Sequence, residues 1–236
     1  MSFARRFTTI LVLCLTTPAL AVSLLTPHTA IYDVKISIVS GELSTELRRT
    51  ADGYVANHKV RTTGMSKLLT RGTIAVTSEF TSEVEGIKPV RFKSVDTVRN
   101  DPDVDLIFDW STNEVSGTVG EENVLLKLEG VAHDAVSIQY ALMHDLLNGG
   151  AAEQYTLFDI EKMRIAYVTN IGSKTVKTGA GTFTALGIRH QKEGSSRTMT
   201  LWCVKELDYL PVIIEQHRKN KLTFRATLDS YTPNRE

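Results

Sequence analysis

The sequence predicts an all-β protein in which a large, curved antiparallel sheet forms an open barrel or β-spiral, with one central α-helix packed against it. Apolar and polar residues alternate with a period of two through most of the 236 residues, which is the pattern of half-buried strands. Turn-forming residues recur roughly every 8 to 12 positions, a spacing typical of antiparallel sandwiches and barrels. Helical spacing is confined to residues 134–148.

The first half of the chain is predicted to consist of strands alone. One apolar face of its first strand is formed by Tyr32, Val34, Ile36 and Ile38. Asp52 and Gly53 predict a tight hairpin, because Asp-Gly readily adopts the positive φ that such turns require. A second turn is predicted at residues 100–103, where Asn, Asp and Pro occur together. Further strands are predicted at residues 43–49, 54–62, 74–84, 89–99, 104–111, 115–119 and 124–128.

The helix is predicted from Asp134 to Asn148. Its apolar residues lie three to four positions apart, at Val136, Tyr140, Met143 and Leu147. Asp134 is a suitable N-cap for the free amides of the first turn, and Gly149 and Gly150 provide the stop. We interpret the helix as a plug or cover over an open end of the sheet.

Strands resume after the helix. Gly179, Ala180 and Gly181 indicate a hairpin turn, since the third glycine and the helix of a phosphate-binding loop are missing. The later strands are predicted at residues 154–159, 164–171, 182–191, 198–204, 212–218 and 222–231.

The N-terminus has the three parts of a cleaved secretory signal peptide over residues 1–21. Arg5 and Arg6 are followed by a short apolar segment and by the small-residue cleavage signal Ala19-Leu20-Ala21. The apolar segment is far shorter than the roughly 20 residues that span a bilayer. We therefore expect no transmembrane segment in the mature chain, and one all-β domain over residues 22–236.

Composition excludes several classes of protein. Loss of two arginines with the signal, from 27 basic and 27 acidic residues, leaves a net charge of −2, which argues against a nucleic-acid partner. Cys14 is lost as well, so Cys203 has no partner for a disulfide. Cys203 lies in an apolar strand, where a small buried side chain is the more common role of cysteine.

No metal ion or other cofactor is predicted. Residues 101–105 carry three alternating carboxylates, but the Gly and Glu that a calcium loop needs downstream are absent. We interpret these carboxylates as partners in cross-strand ion pairs. His133 and His144 are interpreted as solvated residues of the helix surface. The expected ion pairs are Arg99 with Asp103 or Asp105, and Lys93 with Asp109.

Two aromatic residues are candidates for ligand binding. Trp202 lies on the strand face opposite Leu201 and Cys203, and Tyr209 follows in the next turn; both are large and amphipathic. Trp110 continues an apolar face and is expected in the core.

The chain resembles the bacterial domain-of-unknown-function family 3108, small exported proteins of Gram-negative bacteria. The resemblance covers nearly all of the mature chain and implies an all-β fold and a periplasmic location, but it transfers no catalytic residue. Its most specific parts are the G-x-G-T-F turn and the W…LPV ending. The residues that carry it are Arg61-Thr62-Thr63-Gly64, Phe108-Asp109-Trp110, the helix, Gly179–Phe183, Leu201-Trp202 and Leu210-Pro211-Val212.

The preferred hypothesis is a periplasmic, non-enzymatic binding or scaffolding protein of the cell envelope, with a lipid, lipoprotein or partner segment in an open β cavity. One alternative is an envelope hydrolase or transferase that uses Cys203, His190 or His217, and Asp208. Another is a module that only binds other proteins. Loss of function in Cys203→Ala would favour the enzyme, whereas a larger effect of Trp202→Ala would favour binding.

Overall fold

The computed structural model describes residues 23–68, 72–159 and 162–234; the predicted signal peptide, with Ala19 and Ala21 at its expected cleavage site, lies outside them. These residues form fifteen strands, one α-helix and two short 3₁₀ helices, at Gly64–Leu68 and Lys205–Leu207. No helix in these ranges is long and apolar enough to cross a bilayer. The strands before the helix are β1 (His28–Ile36), β2 (Val39–Arg49), β3 (Tyr54–Thr62), β4 (Thr73–Glu83), β5 (Gly86–Asp96), β6 (Asp101–Asp109), β7 (Glu114–Val119), β8 (Glu122–Lys127) and β9 (Ala132–His133). The helix α1 (Ser137–Leu147) is followed by β10 (Gln154–Asp159), β11 (Lys162–Thr178), β12 (Gly181–Lys192), β13 (Arg197–Val204), β14 (Leu210–Arg218) and β15 (Lys221–Pro233).

All fifteen strands belong to one curved, unclosed sheet, which confirms the predicted fold class. The strand order is β8-β7-β6-β5-β4-β3-β2-β1-β15-β14-β13-β12-β11-β10-β9. The first and last strands therefore pair at the centre, with His28 opposite Pro233. Neighbouring strands are antiparallel apart from the short parallel pair of β9 with β10.

The sheet rolls until its two ends overlap. β9 contacts β5, and the ring of Phe108 on β6 lies edge-on to that of Phe158 on β10, at 5.7 Å between centroids. The helix packs inside this roll, mainly against β4 and β5. We call the sheet face toward α1 the inner face and the opposite one the outer face.

The helix begins later than predicted, although Asp134 makes the capping contacts that were expected of it. The Asp134 carboxylate accepts hydrogen bonds from the amides of Val136 and Ser137, both at 2.8 Å, and the Ser137 hydroxyl accepts one from the Asp134 amide. Regular helix begins at Ser137, with Val136 in the N-cap position. Asp134 thus caps the turn that leads into the helix.

The hairpin of β11 and β12 bends back over the outer face. The register shifts between Asn170 and Ser173, and Gly172 adopts a φ of +84° there. The tip of the hairpin reaches β15, where the Gly179 amide donates to the Leu228 carbonyl. A β-carbon at Gly179 would lie 2.9 Å from the Asp229 backbone, so glycine permits this close approach.

Two local predictions were wrong because a turn falls elsewhere. Ile36 and Ile38 are exposed, since β1 ends at Ile36 and the chain turns at residues 37–38, where Ser37 has a φ of +54°. After β5 the turn is at residues 97–100, three residues earlier than expected, because the Asp96 carboxylate accepts the amides of Val98 and Arg99. The resulting ion pairs are Arg99 with Asp96 and Asp101, Arg91 with Asp105, and Lys93 with Asp105.

Candidate ligand-binding cavity

A cavity of about 590 Å³ lies between α1 and the inner face of β10 to β14. Its size is within the range of small-molecule sites, about 300–1,000 Å³. The walls are mainly aliphatic, since inward-pointing residues of successive strands face one side of the helix. The central lining residues are Ile138, Leu142, Leu157, Ile188, Leu201 and Ile214.

The opposite side of the helix is fixed to the first half of the sheet. The Tyr140 ring stacks on Phe80 at 5.2 Å, and its hydroxyl lies 3.2 Å from Nε2 of His58. The Ser78 hydroxyl donates to the Asp134 carboxylate at 2.6 Å. Burial raises the pKa of the Tyr140 hydroxyl and of the Asp134 carboxyl. These contacts hold α1 on β3 and β4 and leave its other side to form a cavity wall.

Polar groups concentrate at one end of the cavity. Arg164, Lys192 and Arg197 line it where β10 turns into β11 and β12 turns into β13. Asp159 pairs with two of them: its Oδ2 lies 3.0 Å from Nε of Arg164 and 3.2 Å from Nζ of Lys192. The cavity therefore has an aliphatic interior and a cationic end.

His190 lines the same cavity between the cationic end and Ile188. Burial lowers the pKa of its imidazole to about 4, so the ring is neutral near pH 7. Nδ1 of His190 and Nε of Arg164 are buried without a well-directed hydrogen bond in the described part of the chain, although Asp159 is close to the latter. Buried polar atoms are normally paired, so these two atoms are exceptions among the residues that line the cavity.

A second cavity, of about 990 Å³, adjoins the first. Val168 and Ile188 line both, so the two spaces share one wall. Tyr209, a ligand-binding candidate from the sequence, lines this second cavity, next to the chain segment that follows α1.

Trp202, the other candidate, lies on the outer face of β13. It is opposite Gly187 on β12, and a β-carbon at Gly187 would lie 2.7 Å from its ring. Nζ of Lys174 lies 3.6 Å from the ring centroid, and Nε1 donates to Glu215 at 3.3 Å. Trp202 is 8% exposed and is among the lining residues of neither cavity described above. Ligand binding by Trp202 and Tyr209 stays a prediction.

Cys203 and the histidines proposed with it lie apart. Cys203 is opposite Leu186 on β12, whereas His190 is opposite Met199, four residues along β13, roughly 13 Å at about 3.3 Å per residue. His217 is opposite Thr198, further still. Cys203 is fully buried, and burial raises the pKa of its thiol. Among the described residues, no three His, Cys, Asp or Glu side chains are grouped to hold a metal ion.

The interpretation of His133 and His144 as solvated was wrong. Both are at most 5% exposed. His133 forms part of the two-residue strand β9, which is too short to give an alternation pattern, and burial lowers the pKa of its ring to about 4. His144 lies on a helix that is covered on nearly every side.

Sequence reasoning also missed the cationic residues and His190 as cavity residues. One signal was available: Ile188, His190 and Lys192 alternate along a single strand face. Polar residues that continue an apolar stripe at a strand end indicate that the face changes there from buried to partly solvent-accessible.

The fold and the cavity together define a barrel-like, all-β protein with a ligand-sized space between its helix and half of its sheet. The chain belongs to the family of proteins of unknown function DUF3108, whose model matches residues 30–229. This confirms the family suggested by the sequence. No curated protein matches the sequence significantly.

One solved structure shows the same type of fold. The chain is similar to a beta-barrel-like protein of the domain of unknown function DUF1849 from Brucella abortus, with a TM-score of 0.60 and 13% identity over 90% of this chain and 99% of that one. It also matches a "putative lipoprotein" from Parabacteroides distasonis, with a TM-score of 0.36 and 9% identity over 88% and 95% of the two chains. A third match is a "putative exported protein" with a YmcC-like fold from Bacteroides fragilis, with a TM-score of 0.33 and 10% identity over 88% and 96%.

Proposed function

We propose that this protein is a non-enzymatic, periplasmic binding protein of the cell envelope that holds the apolar chain of a lipid or lipid-modified partner between α1 and β10 to β14. The aliphatic cavity of about 590 Å³ carries the proposal. A water molecule in the liquid occupies about 30 Å³, so the cavity has room for roughly 20 groups of that size, such as the methylenes of an apolar chain. The signal-like residues 1–21 support the location.

The physical driving force is removal of the chain from water. Each buried methylene contributes about 0.8 kcal/mol, whereas association costs at least about 4 kcal/mol. Short chains should therefore bind weakly. Affinity should rise with chain length until the cavity is full and should then level off.

Displacement of a fluorescent fatty-acid probe by neutral monoacylglycerols tests this function. We expect the affinity to rise at least tenfold from octanoylglycerol to dodecanoylglycerol, with native mass spectrometry showing one bound molecule. Met199→Trp places a large ring in the cavity and should abolish binding. Arg189→Trp adds the same ring to an exposed residue outside the cavity and is the matched control.

Binding independent of chain length, or equal in the two tryptophan variants, would contradict the proposal. Trp202→Phe reports which sheet face holds the ligand. With the ligand in the inner cavity, this variant should bind normally. A loss of affinity in a stably folded Trp202→Phe protein would instead support the outer-face site expected from the sequence.

A further inference from the structure

The cationic residues of the cavity are collected at one end by the strand register. Lys192 is opposite Ala166, and Arg164 lies two residues beyond Ala166 toward the same sheet end. Arg197 begins β13, directly after the turn that follows Lys192. Since neighbouring strands are antiparallel, the end of β12 and the beginnings of β11 and β13 meet at one edge of the cavity.

These three cations exceed the acidic groups in the described lining. Asp159 contacts Arg164 and Lys192, and no ion-pair partner for Arg197 occurs among the described residues. The local surplus contrasts with the mature chain as a whole, whose 25 basic residues face 27 acidic ones. A ligand group that approaches this edge therefore meets a positive potential.

The partial burial of two of these cations strengthens their attraction for an anion. The side chains of Arg164 and Lys192 are 36% and 35% exposed, so both are partly removed from water. Charges interact more strongly in such a partly buried position than at a fully exposed surface. The side chains of Arg164 and His190 line the same space. An N–H group there can donate only to an acceptor, and ionised oxygens are the strongest acceptors.

We infer that the ligand is an anionic amphiphile whose carboxylate or phosphate head contacts Arg164, Lys192 and Arg197 while its chain occupies the aliphatic part of the cavity. This inference rests on the proposed function, because the ligand's apolar chain, once bound in the cavity, holds the head group at this edge. The class of ligand is thus narrowed from molecules with an apolar chain in general to fatty acids and acidic lipids. His190, which lies between the two parts of the cavity, contacts the first atoms of the chain or the head group.

Four probes with a chain of the same length test the inference: dodecanoate, dodecyl phosphate, dodecanoylglycerol and dodecyltrimethylammonium. We expect the two anions to bind about tenfold more tightly than dodecanoylglycerol, and the cation to bind least. Arg197→Glu should remove the preference for anions, measured as the ratio of the affinities for dodecanoate and dodecanoylglycerol in the same variant. Arg197 is exposed, so this variant should fold. Arg189→Glu makes the same charge change outside the cavity and should retain the preference.

The outcomes separate the two proposals. If dodecanoylglycerol binds as tightly as the anions, the head-group inference fails and the proposed function stands. If none of the four probes binds, both fail. If inorganic phosphate competes at concentrations equal to those of dodecyl phosphate, the site binds a free anion and the inference of an amphiphilic ligand fails. Equal losses in Arg197→Glu and Arg189→Glu would overturn the role of the cationic edge.

Discussion

The strands before α1 and the strands after it meet the helix in different ways. Toward β4 the helix is joined by aromatic stacking of Tyr140 on Phe80, and the turn that leads into the helix is joined by the buried hydrogen bond from Ser78 to Asp134. Toward β10 to β14 a cavity lies between the same helix and the sheet, and the Tyr155 hydroxyl on β10 donates to the Asp145 carboxylate at 2.7 Å. One curved sheet thus contributes a packed wall on one side of the helix and an accessible wall on the other.

This difference assigns separate tasks to the two sides of the helix. The packed side fixes the position of α1 and supplies stability. The cavity side is the one that the proposed ligand would occupy without loss of the contacts that hold the helix. Substitutions on the two sides should therefore affect different measurements.

The largest expected effect is the loss of Tyr140, which is completely buried. Tyr140→Ala should lower the free energy of unfolding by about 3–5 kcal/mol in urea denaturation, because a large cavity replaces the ring. Ile138→Ala, on the cavity side, should cost less than about 2 kcal/mol, since Ile138 is only partly buried.

Chain binding should show the opposite order. Ile138→Ala should weaken the affinity for dodecanoylglycerol, whereas Tyr140→Phe, which keeps the ring and loses only the contact with His58, should bind normally. Equal stability losses for the two alanine variants would break the distinction between a packed and an open side.

The second prediction concerns acid pH and compares His58 with His190. Burial lowers the pKa of each ring to about 4, below the usual value of about 6.5 in an unfolded chain. The unfolded state then binds more protons between these values, so stability is fully present above pH 6.5 and is lost as the pH falls toward 4. Asp134 opposes this trend, because burial raises the pKa of its carboxyl.

The urea midpoint at pH 7 and at pH 5 measures the effect. His58→Gln should reduce the loss on acidification more than His190→Gln, since His58 charges within the packed region and His190 charges beside a cavity that water can enter. A larger recovery with His190→Gln would reverse the assignment of packed and open sides.

The fold was predictable because its signals are local. The period-two alternation is repeated in strand after strand, and the 3-to-4 spacing around Tyr140 and Met143 marks the helix. Small errors at the ends of elements therefore do not change the predicted fold class. Failures occurred where one residue moved a turn. Asp96 draws the chain into a turn three residues early and changes every ion pair of that hairpin.

The cavity could not be predicted in the same way. It depends on how far the sheet rolls before Phe108 reaches Phe158, and on which side of α1 is held by Tyr140. Neither is a property of neighbouring residues in the chain. Trp202 illustrates the limit: alternation predicted its face relative to Leu201, but the folded-back hairpin that carries Lys174 determines what covers that face.

The smallest expected effect is that of Cys203→Ala. The side chain is fully buried and lies among the lining residues of neither described cavity, so truncation should cost about 1 kcal/mol of stability. The affinity for dodecanoylglycerol should stay within twofold of the original. Cys203→Ser is the matched variant of similar size, and it should be less stable than the alanine variant because it buries a hydroxyl in an apolar site.

This pair of variants also tests the enzyme hypothesis. If the thiol only fills space, both the stability and the ligand affinity should change little in Cys203→Ala. A nucleophile predicts loss of function in Cys203→Ala with the fold intact, which would require β12 and β13 to move so that Cys203 reaches His190 from its position opposite Leu186. Since that movement would break the register of two interior strands of the sheet, we expect unchanged ligand binding in a slightly less stable protein.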